Sequence, residues 1–481
     1  MPYKSRWRRF AAGLRKSGLR PGDRVLMFPG DDLFFPVVLM GIIMAGGIFT
    51  GANPMSVPRE LAYQLEDSGA TYIICARASL DTAIEAARLV CLSRDKACRY
   101  WGELVASPEE GEGFAWDELS TPELADRNLA LNYSSGTTGR PKGVEITHKN
   151  YVANLLQFTY IERLHPNYEA KRARKRCLCF LPMYHSMAQM IMIAATLALN
   201  TPVYIMPKFN FIQMLGYTQK YRITDYVVVP PIVVALAKHP AVKKFDLSSV
   251  EDIGCGAAPL GKKVSEQLQA LWPPGKVNIR QGYGMTETTC SMVNWDPREK
   301  GFSAAVGELN ANCEAKIMAE DGVTELLERN QRGELWLRGQ NVMKGYWRNP
   351  EATKATKTED GWLKTGDVAF VDDHGKFYVV DRLKELIKVK GNQVAPAELE
   401  ALLLEHPAIA DAAVIGITTD NDEGPRAYVV LKPGQVASAK DIVQFIEGKV
   451  SPIKRITGKI LRKMLHEQAQ KELKQGTTAK L

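Results

Sequence analysis

The sequence predicts an α/β protein with a large, multi-sheet N-terminal domain and a smaller α+β C-terminal domain. Three observations point there. At 481 residues the chain is too long for one hydrophobic core, so a large domain plus a small one is the natural division. Up to about residue 314, short apolar runs recur between helical patterns, the rhythm of mainly parallel sheets. Beyond that point the rhythm changes to short strands with turn signals, and a compact strand-and-helix alternation closes the chain.

The elements follow in order. The basic start, MPYKSRWRRFAAGLRKSG, places Trp7, Phe10, Ala11 and Leu14 on one helical face. It lacks the apolar core of a secretory signal and reads as an amphipathic surface helix stopped by Gly18, in preference to a mitochondrial presequence. Leu33–Asn53 carries no charge and is long enough to cross a bilayer. Pro36, Gly41, Gly46, Gly47 and Gly51 interrupt it, however, which favours a buried helix, a turn and a strand. Strands are expected at Tyr72–Cys75, Leu129–Tyr133, Val203–Met206 and Tyr226–Val229. The basic run Lys171–Arg176 reads as a solvated loop sooner than as a nuclear signal. GELWLRG (333–339) and GKFYVVDR (375–382) supply later strands.

The domain boundary falls at Asp381, giving a large domain of residues 1–381 and a small one of 382–481. After Arg382 a lysine-rich segment leads to Pro396, which opens a helix through Glu405, because proline in a first helical turn forfeits no hydrogen bond. Strands at Ala412–Ile417 and Ala427–Leu431 and a helix near Lys440–Lys449 complete the small unit.

Composition narrows the function classes. A hydrophobic share of 45% and a charged share of 24%, with 38 glycines and 26 prolines scattered along the chain, exclude disordered and fibrous classes. The net charge of +8 suits anionic ligands such as nucleotides without calling for nucleic acid. The eight cysteines, at 75, 91, 98, 177, 179, 255, 290 and 313, form no four-ligand zinc pattern, and the seven histidines form no H-E-x-x-H. They read as reduced thiols of an intracellular protein.

The sharpest chemical signal is SSGTTGRPKG at 134–143, directly after a strand-like run. Its glycines let the backbone approach a ligand, and its N–H and hydroxyl groups suit phosphate oxygens. Lys142 adds a mobile positive charge. The ordinary nucleotide P-loop pattern G-x-x-x-x-G-K-[ST] does not thread through it.

This string resembles the phosphate loop of the adenylate-forming superfamily of acyl-CoA ligases, luciferases and peptide-synthetase adenylation domains. Further motifs of that superfamily follow in order: LPMYHSMA (181–188), CGAAPL (255–260), QGYGMTE (281–287), GELWLRG (333–339), TGD (365–367), DRLKELIKVKGNQVAPAELE (381–400) and TGKILRK (457–463). The wording is most similar to the 4-coumarate–CoA ligase group. The resemblance implies the adenylate-forming fold, with a mobile C-terminal lid that turns about a hinge at Asp381. It also implies ATP and Mg2+ as cofactors and coenzyme A as co-substrate.

The residue roles come from the same resemblance. Ser134, Ser135, Gly136, Thr137, Thr138, Gly139 and Lys142 hold phosphate, joined by Thr286. Glu287 is the Mg2+ ligand, since a hard cation prefers carboxylate oxygen. Asp367 binds the ribose hydroxyls, with Arg382 adding a donor. Tyr184, His185, Gly256, Ala257, Ala258, Gly282 and Tyr283 line the acyl and nucleotide pocket, with Gly284 beside them; His185 also counts among the catalytic groups. Lys459 serves adenylation, whereas Lys388, Gly391 and Gln393 serve thioester formation.

The expected reaction is acid activation to an acyl adenylate, then transfer to coenzyme A, with an aromatic or medium-chain acid as substrate. Two alternatives stay open: an adenylating enzyme with another acceptor, oxygen or a carrier protein, and a nucleotide-binding relative without turnover. The terminal Ala479-Lys480-Leu481 follows the small–basic–leucine pattern of peroxisomal import, read by an import receptor; the cytoplasm is the fallback location. No membrane span is expected. Two departures from the family stand out. The chain begins inside what resembles an early helix, and SPIKRITGKIL (451–461) is shorter than the corresponding segment of relatives.

Overall fold

The computed structural model describes residues 2–28, 30, 32–90, 100–134, 140–258, 260–299, 304–389, 392–419, 422–432, 434–447, 449–450 and 456. Two five-stranded sheets organise its larger part. The first holds β1 (Arg24–Phe28), β2 (Ile48–Gly51), β3 (Tyr72–Cys75), β4 (Asn128–Ser134) and β5 (Lys142–Thr147), in spatial order β3-β1-β2-β4-β5. Only β5 runs antiparallel, as the return arm of a hairpin from β4.

The second sheet is parallel throughout. It holds β6 (Cys177–Cys179), β7 (Val203–Ile205), β8 (Asp225–Val228), β9 (Asp252–Cys255) and β10 (Asn278–Gln281), in the order β10-β9-β8-β6-β7. Residues along each strand point alternately to opposite faces. Tyr226, Val228, Ile253, Cys255 and Ile279 therefore face one core, covered by helices Phe211–Tyr221, Pro230–Lys238 and Lys262–Gln269. Cys177 and Cys179 face the other core, shared with Phe49, Ala130 and Val144 of the first sheet.

The uncharged stretch at 33–53 forms helix Phe35–Met44, a turn and β2, and among the described residues no helix is long and apolar enough to cross a membrane. The N-terminal pattern forms helix Pro2–Lys16, with Phe10, Ala11 and Leu14 wholly buried. Close approach explains Gly13, where a Cβ would lie 1.6 Å from the Leu104 carbonyl oxygen.

One expectation is corrected. Lys171–Arg176 is not a solvated loop: it lies largely in helix Tyr168–Arg174, and Lys171 is buried in an ion pair with Asp252. Lys175 meets Glu162 at 2.8 Å and Asp225 at 3.3 Å. Three acids from distant elements supply the compensation that makes burial of these lysines tolerable.

A four-stranded antiparallel sheet follows, made of Cys313–Met318, Gly333–Gly339, Leu363–Val371 and Phe377–Arg382. The residues beyond it carry a core of their own, with Ile387, Leu399, Leu403, Ile409 and Ile442 fully buried. Pro396 opens helix Pro396–Leu404, and strands Ile409–Thr419 and Asp422–Leu431 pair antiparallel. Lys238 Nζ donates to the Leu404 and Ile409 carbonyls at 2.6 and 3.3 Å, fastening this unit to the second sheet's helical layer.

Candidate active site

Parallel α/β sheets present their ligand sites at the carboxyl ends of their strands. Here the ends of β9 and β10, with Asp225–Val227 of β8, meet the β4–β5 hairpin around a cavity of about 1620 Å³. The predicted residues Ser134, Lys142, Tyr184, His185, Gly256, Ala257, Gly282, Tyr283, Gly284, Thr286, Glu287 and Arg382 all line it. Ala258 is exposed outside that lining.

Ser134 and Lys142 are register partners at the loop end of the hairpin. The predicted phosphate-loop residues Ser135, Gly136, Thr137, Thr138 and Gly139 lie outside the described residues; the strands on either side are held from several directions. Tyr133 donates to Asp67 at 2.5 Å, and Tyr63 donates to the Pro141 carbonyl at 2.8 Å. Lys142 Nζ stands 4.5 Å from the Tyr346 ring centroid, a cation–π approach that steers the amine.

Glu287 occupies the turn Thr286–Thr288 and is buried. Its Oε1 accepts from Ser134 Oγ at 3.1 Å and from the Tyr346 hydroxyl at 2.8 Å. The carboxylate is thereby pinned beside Ser134, where the predicted phosphate loop begins. Among the described residues no group of three or more His, Cys, Asp or Glu side chains gathers to cage a metal. A lone carboxylate is what Mg2+ uses when phosphate oxygens and water complete its shell.

Around the acyl side, backbone geometry makes the space. Ala257 has φ 74°, a left-handed conformation unusual for a residue with a side chain and common where a ligand site stores strain. Gln281 accepts from the Leu260 N–H at 2.8 Å and donates back to its carbonyl at 3.3 Å, tying the CGAAPL loop to the QGYGMTE loop. A Cβ on Gly284 would stand 2.0 Å from the Cys290 carbonyl oxygen, so only glycine fits there. Burial holds the His185 imidazole below its usual pKa and so favours the neutral ring.

Asp367 sits in strand Leu363–Val371 opposite Arg382. Tyr283 donates to its Oδ2 at 2.5 Å, and Arg382 Nε lies 3.6 Å from Oδ1. Burial raises the Asp367 pKa, with the Tyr283 hydrogen bond and Arg382 opposing it. Burial and the neighbouring Asp367 raise the Tyr283 phenol in turn, so it acts as a neutral donor.

A folded-state pKa above the unfolded one means that Asp367 favours folding while protonated, and that this contribution is lost as pH rises through the folded pKa. At neutral pH the buried charge is therefore a cost to folding. Asp367→Asn is expected to melt higher than wild type at pH 7–8, with the gap closing under acid, and to bind ATP about 10-fold or more weakly. Melting curves across pH with ATP titrations check both halves; a lower melting point at neutral pH would contradict the first.

In the C-terminal unit, Lys388 and Gln393 are register partners in the hairpin Ile387–Val389/Asn392–Val394. Their side chains, Gly391 and Lys459 lie outside the described residues. Asp381 Oδ2 accepts the Ala397 N–H at 3.0 Å, joining the end of the large sheet to the helix opened by Pro396.

Several positioning residues carried no sequence signal of their own. Tyr346 lies outside the glycine-rich motifs, yet it contacts both Lys142 and Glu287. Asn132 and Gln189 exchange amide hydrogen bonds at 3.2 Å, linking β4 to the π-wound helix Ala188–Ala195 after LPMYHS. Their partnership spans 57 positions, beyond the reach of any local pattern.

A strained small-residue loop, a β-hairpin stem carrying Ser134 and Lys142, and a pinned carboxylate around one cleft, with a buried aspartate behind Tyr283, suit a nucleotide-dependent enzyme. The chain belongs to the AMP-binding enzyme family: the family model for the AMP-binding enzyme matches residues 3–347, and that for its C-terminal domain matches 398–468. Among similar proteins, 4-coumarate–CoA ligase 1 of Petroselinum crispum is 39% identical, over 95% of this chain and 86% of that protein. The peroxisomal OPC-8:0-CoA ligase 1 of Arabidopsis thaliana is 37% identical, over 94% and 85%. Among solved structures, ATP-bound MatB from Rhodopseudomonas palustris superposes with a TM-score of 0.81 at 26% identity, covering 96% of this chain and 88% of that one. The O-succinylbenzoate coenzyme A synthetase MenE from Bacillus subtilis, with AMP, gives 0.75 at 25%, with the same coverage.

Proposed function

We propose that the chain is an ATP-dependent acid–CoA ligase that acts on an aromatic or medium-chain carboxylic acid. The carboxylate attacks the α-phosphate of ATP to give an acyl adenylate and pyrophosphate; the coenzyme A thiol then displaces AMP and leaves as acyl-CoA. The observation that carries this reading is the contact of Glu287 with Ser134, which sets a carboxylate at the stem of the phosphate loop inside the cavity that Gly256 and Gly282 also line. The ligase names of the relatives support it.

In this reading Glu287 holds Mg2+, which neutralises phosphate charge. Ser134, Lys142 and Thr286 face phosphate, as do Ser135, Gly136, Thr137, Thr138 and Gly139. Asp367 and Arg382 hold the ribose. Tyr184, His185, Gly256, Gly282 and Tyr283 border the acid. Lys459 supplies positive charge during adenylation, and Lys388, Gly391 and Gln393 serve the thioester step after the residues beyond Asp381 rotate as a unit. Ala479-Lys480-Leu481 directs the protein to the peroxisome, a location supported by the peroxisomal relative. A fluorescent fusion lacking the last three residues is expected to stay in the cytosol; identical localisation of both fusions would refute the signal.

The test of the reaction is incubation with MgATP, coenzyme A and a panel of aryl and medium-chain acids, reading AMP and acyl-CoA together. Both products from one acid establish the ligase and its substrate class. AMP without acyl-CoA points to another acceptor, and neither product from a folded, ATP-binding protein removes the proposal.

A further inference from the structure

The acyl side of the cavity runs down the face of the second sheet. Gly256, Gly254 and Asp252 alternate along and just beyond β9, and Gly282 and Arg280 do the same at β10, so all five share one face. All five line the cavity. The glycines make it a groove: a Cβ on Gly254 would meet nothing nearer than the Tyr226 carbonyl oxygen at 3.8 Å. From Gly256 to Asp252 the groove descends about 13 Å.

Its lower end is ionic and incompletely paired. Asp252 Oδ2 is taken by Lys171. Arg280 stands 3.6 Å from Asp252 Oδ1, an ion pair without a hydrogen bond, and Oδ1 is buried with no hydrogen-bond partner. The Arg280 side chain is 20% exposed, and its guanidinium makes no hydrogen bond among the described residues. Guanidinium carries five donors and no acceptor, in a fork that matches paired oxygens. A wholly apolar acyl end seated there would cover those donors without matching them, which is costly.

We infer that Arg280 ends the acyl channel as a specificity residue and selects acids whose end remote from the reacting carboxyl bears an oxygen acceptor, a hydroxyl or a second carboxylate. The inference rests on the ligase reading and narrows its substrate class. Adenylation chemistry is unchanged; only the far end of the acid is read. Lys171 keeps Asp252 neutralised, so the arriving oxygen meets Arg280 and not an uncompensated carboxylate.

The test uses the full chain with matched acids: octanoic, ω-hydroxyoctanoic and octanedioic, and cinnamic with para-hydroxycinnamic. The oxygen-ended member of a set is expected to exceed its plain counterpart in kcat/KM by about 10-fold or more. Arg280→Met is expected to erase that preference by lowering only the oxygen-ended acid's kcat/KM, with the ATP-induced melting shift unchanged. Arg280→Gln, which keeps a donor, is expected to retain part of the preference and serves if the Met variant does not fold. Preference for the hydroxy acid identifies hydroxy acids, and preference for the diacid identifies dicarboxylates. Equal kcat/KM within every set, or an equal loss for plain and oxygen-ended acids in Arg280→Met, overturns the inference. If no acid is turned over, the ligase reading has failed, and the same sets are compared by calorimetric binding. There a preference that Arg280→Met removes supports the channel end, and its absence overturns it.

Discussion

Glu287→Gln is expected to lower the rate of AMP and pyrophosphate formation by about 10²–10³-fold, the usual consequence of removing one charge-stabilising group from a transition state. The substitution isolates charge from structure. The amide keeps an oxygen where Oε1 accepts from Ser134 and Tyr346, so the turn Thr286–Thr288 and the loop stem keep their anchor. What is lost is a full negative charge for Mg2+, a cation that binds hard oxygen and needs few protein ligands. The deficit is expected to shrink as Mg2+ is raised, with the melting temperature without ligand close to wild type. Pyrophosphate exchange over a Mg2+ series measures it. A rate equal to wild type at low Mg2+ would show that the ion is held elsewhere.

Lys459→Ala is expected to have an effect of the same size on one half-reaction only. Adenylation is expected to fall by about 10²–10³-fold, because charge develops on the phosphate while the leaving pyrophosphate departs. Thioester formation from a supplied acyl adenylate is expected to remain near wild type. Lys388→Ala is expected to reverse the pattern, sparing pyrophosphate exchange and slowing acyl-CoA release from the adenylate. Single-turnover assays of each half-reaction separate the two. Equal losses in both would reject a division of labour between two faces of the C-terminal unit. A Lys459→Ala variant that adenylates at the wild-type rate would move the phosphate-facing cation to Lys142 or Arg382, both of which line the cavity.

Much of the architecture was legible because it is local. The run Tyr72–Cys75 is β3 residue for residue, since four apolar, largely β-favouring residues between a threonine and an alanine–arginine step leave little choice. β8 begins one residue earlier than its apolar run, at Asp225, because that carboxylate finds Lys175 and is accommodated inside. The Pro396 start was visible for a reason confined to one turn. The lysines at 171 and 175 misled for the opposite reason. A basic hexapeptide looks solvated until acids more than a dozen to some eighty positions away are brought beside it.

The site divides the same way. Glycine-rich strings announce places where a ligand can meet the backbone, because only residues without bulk permit that approach. The sequence by itself therefore determined the fold class, the element order and a set of candidate site residues, many of which line one cavity. The tertiary structure decided which distant groups meet around that cavity: Tyr346 against Glu287, Gln281 against Leu260, Arg280 beside Asp252. The physical reason is that backbone preference is written over a few neighbouring residues. The pairing of buried polar groups depends on which distant strands the fold sets side by side.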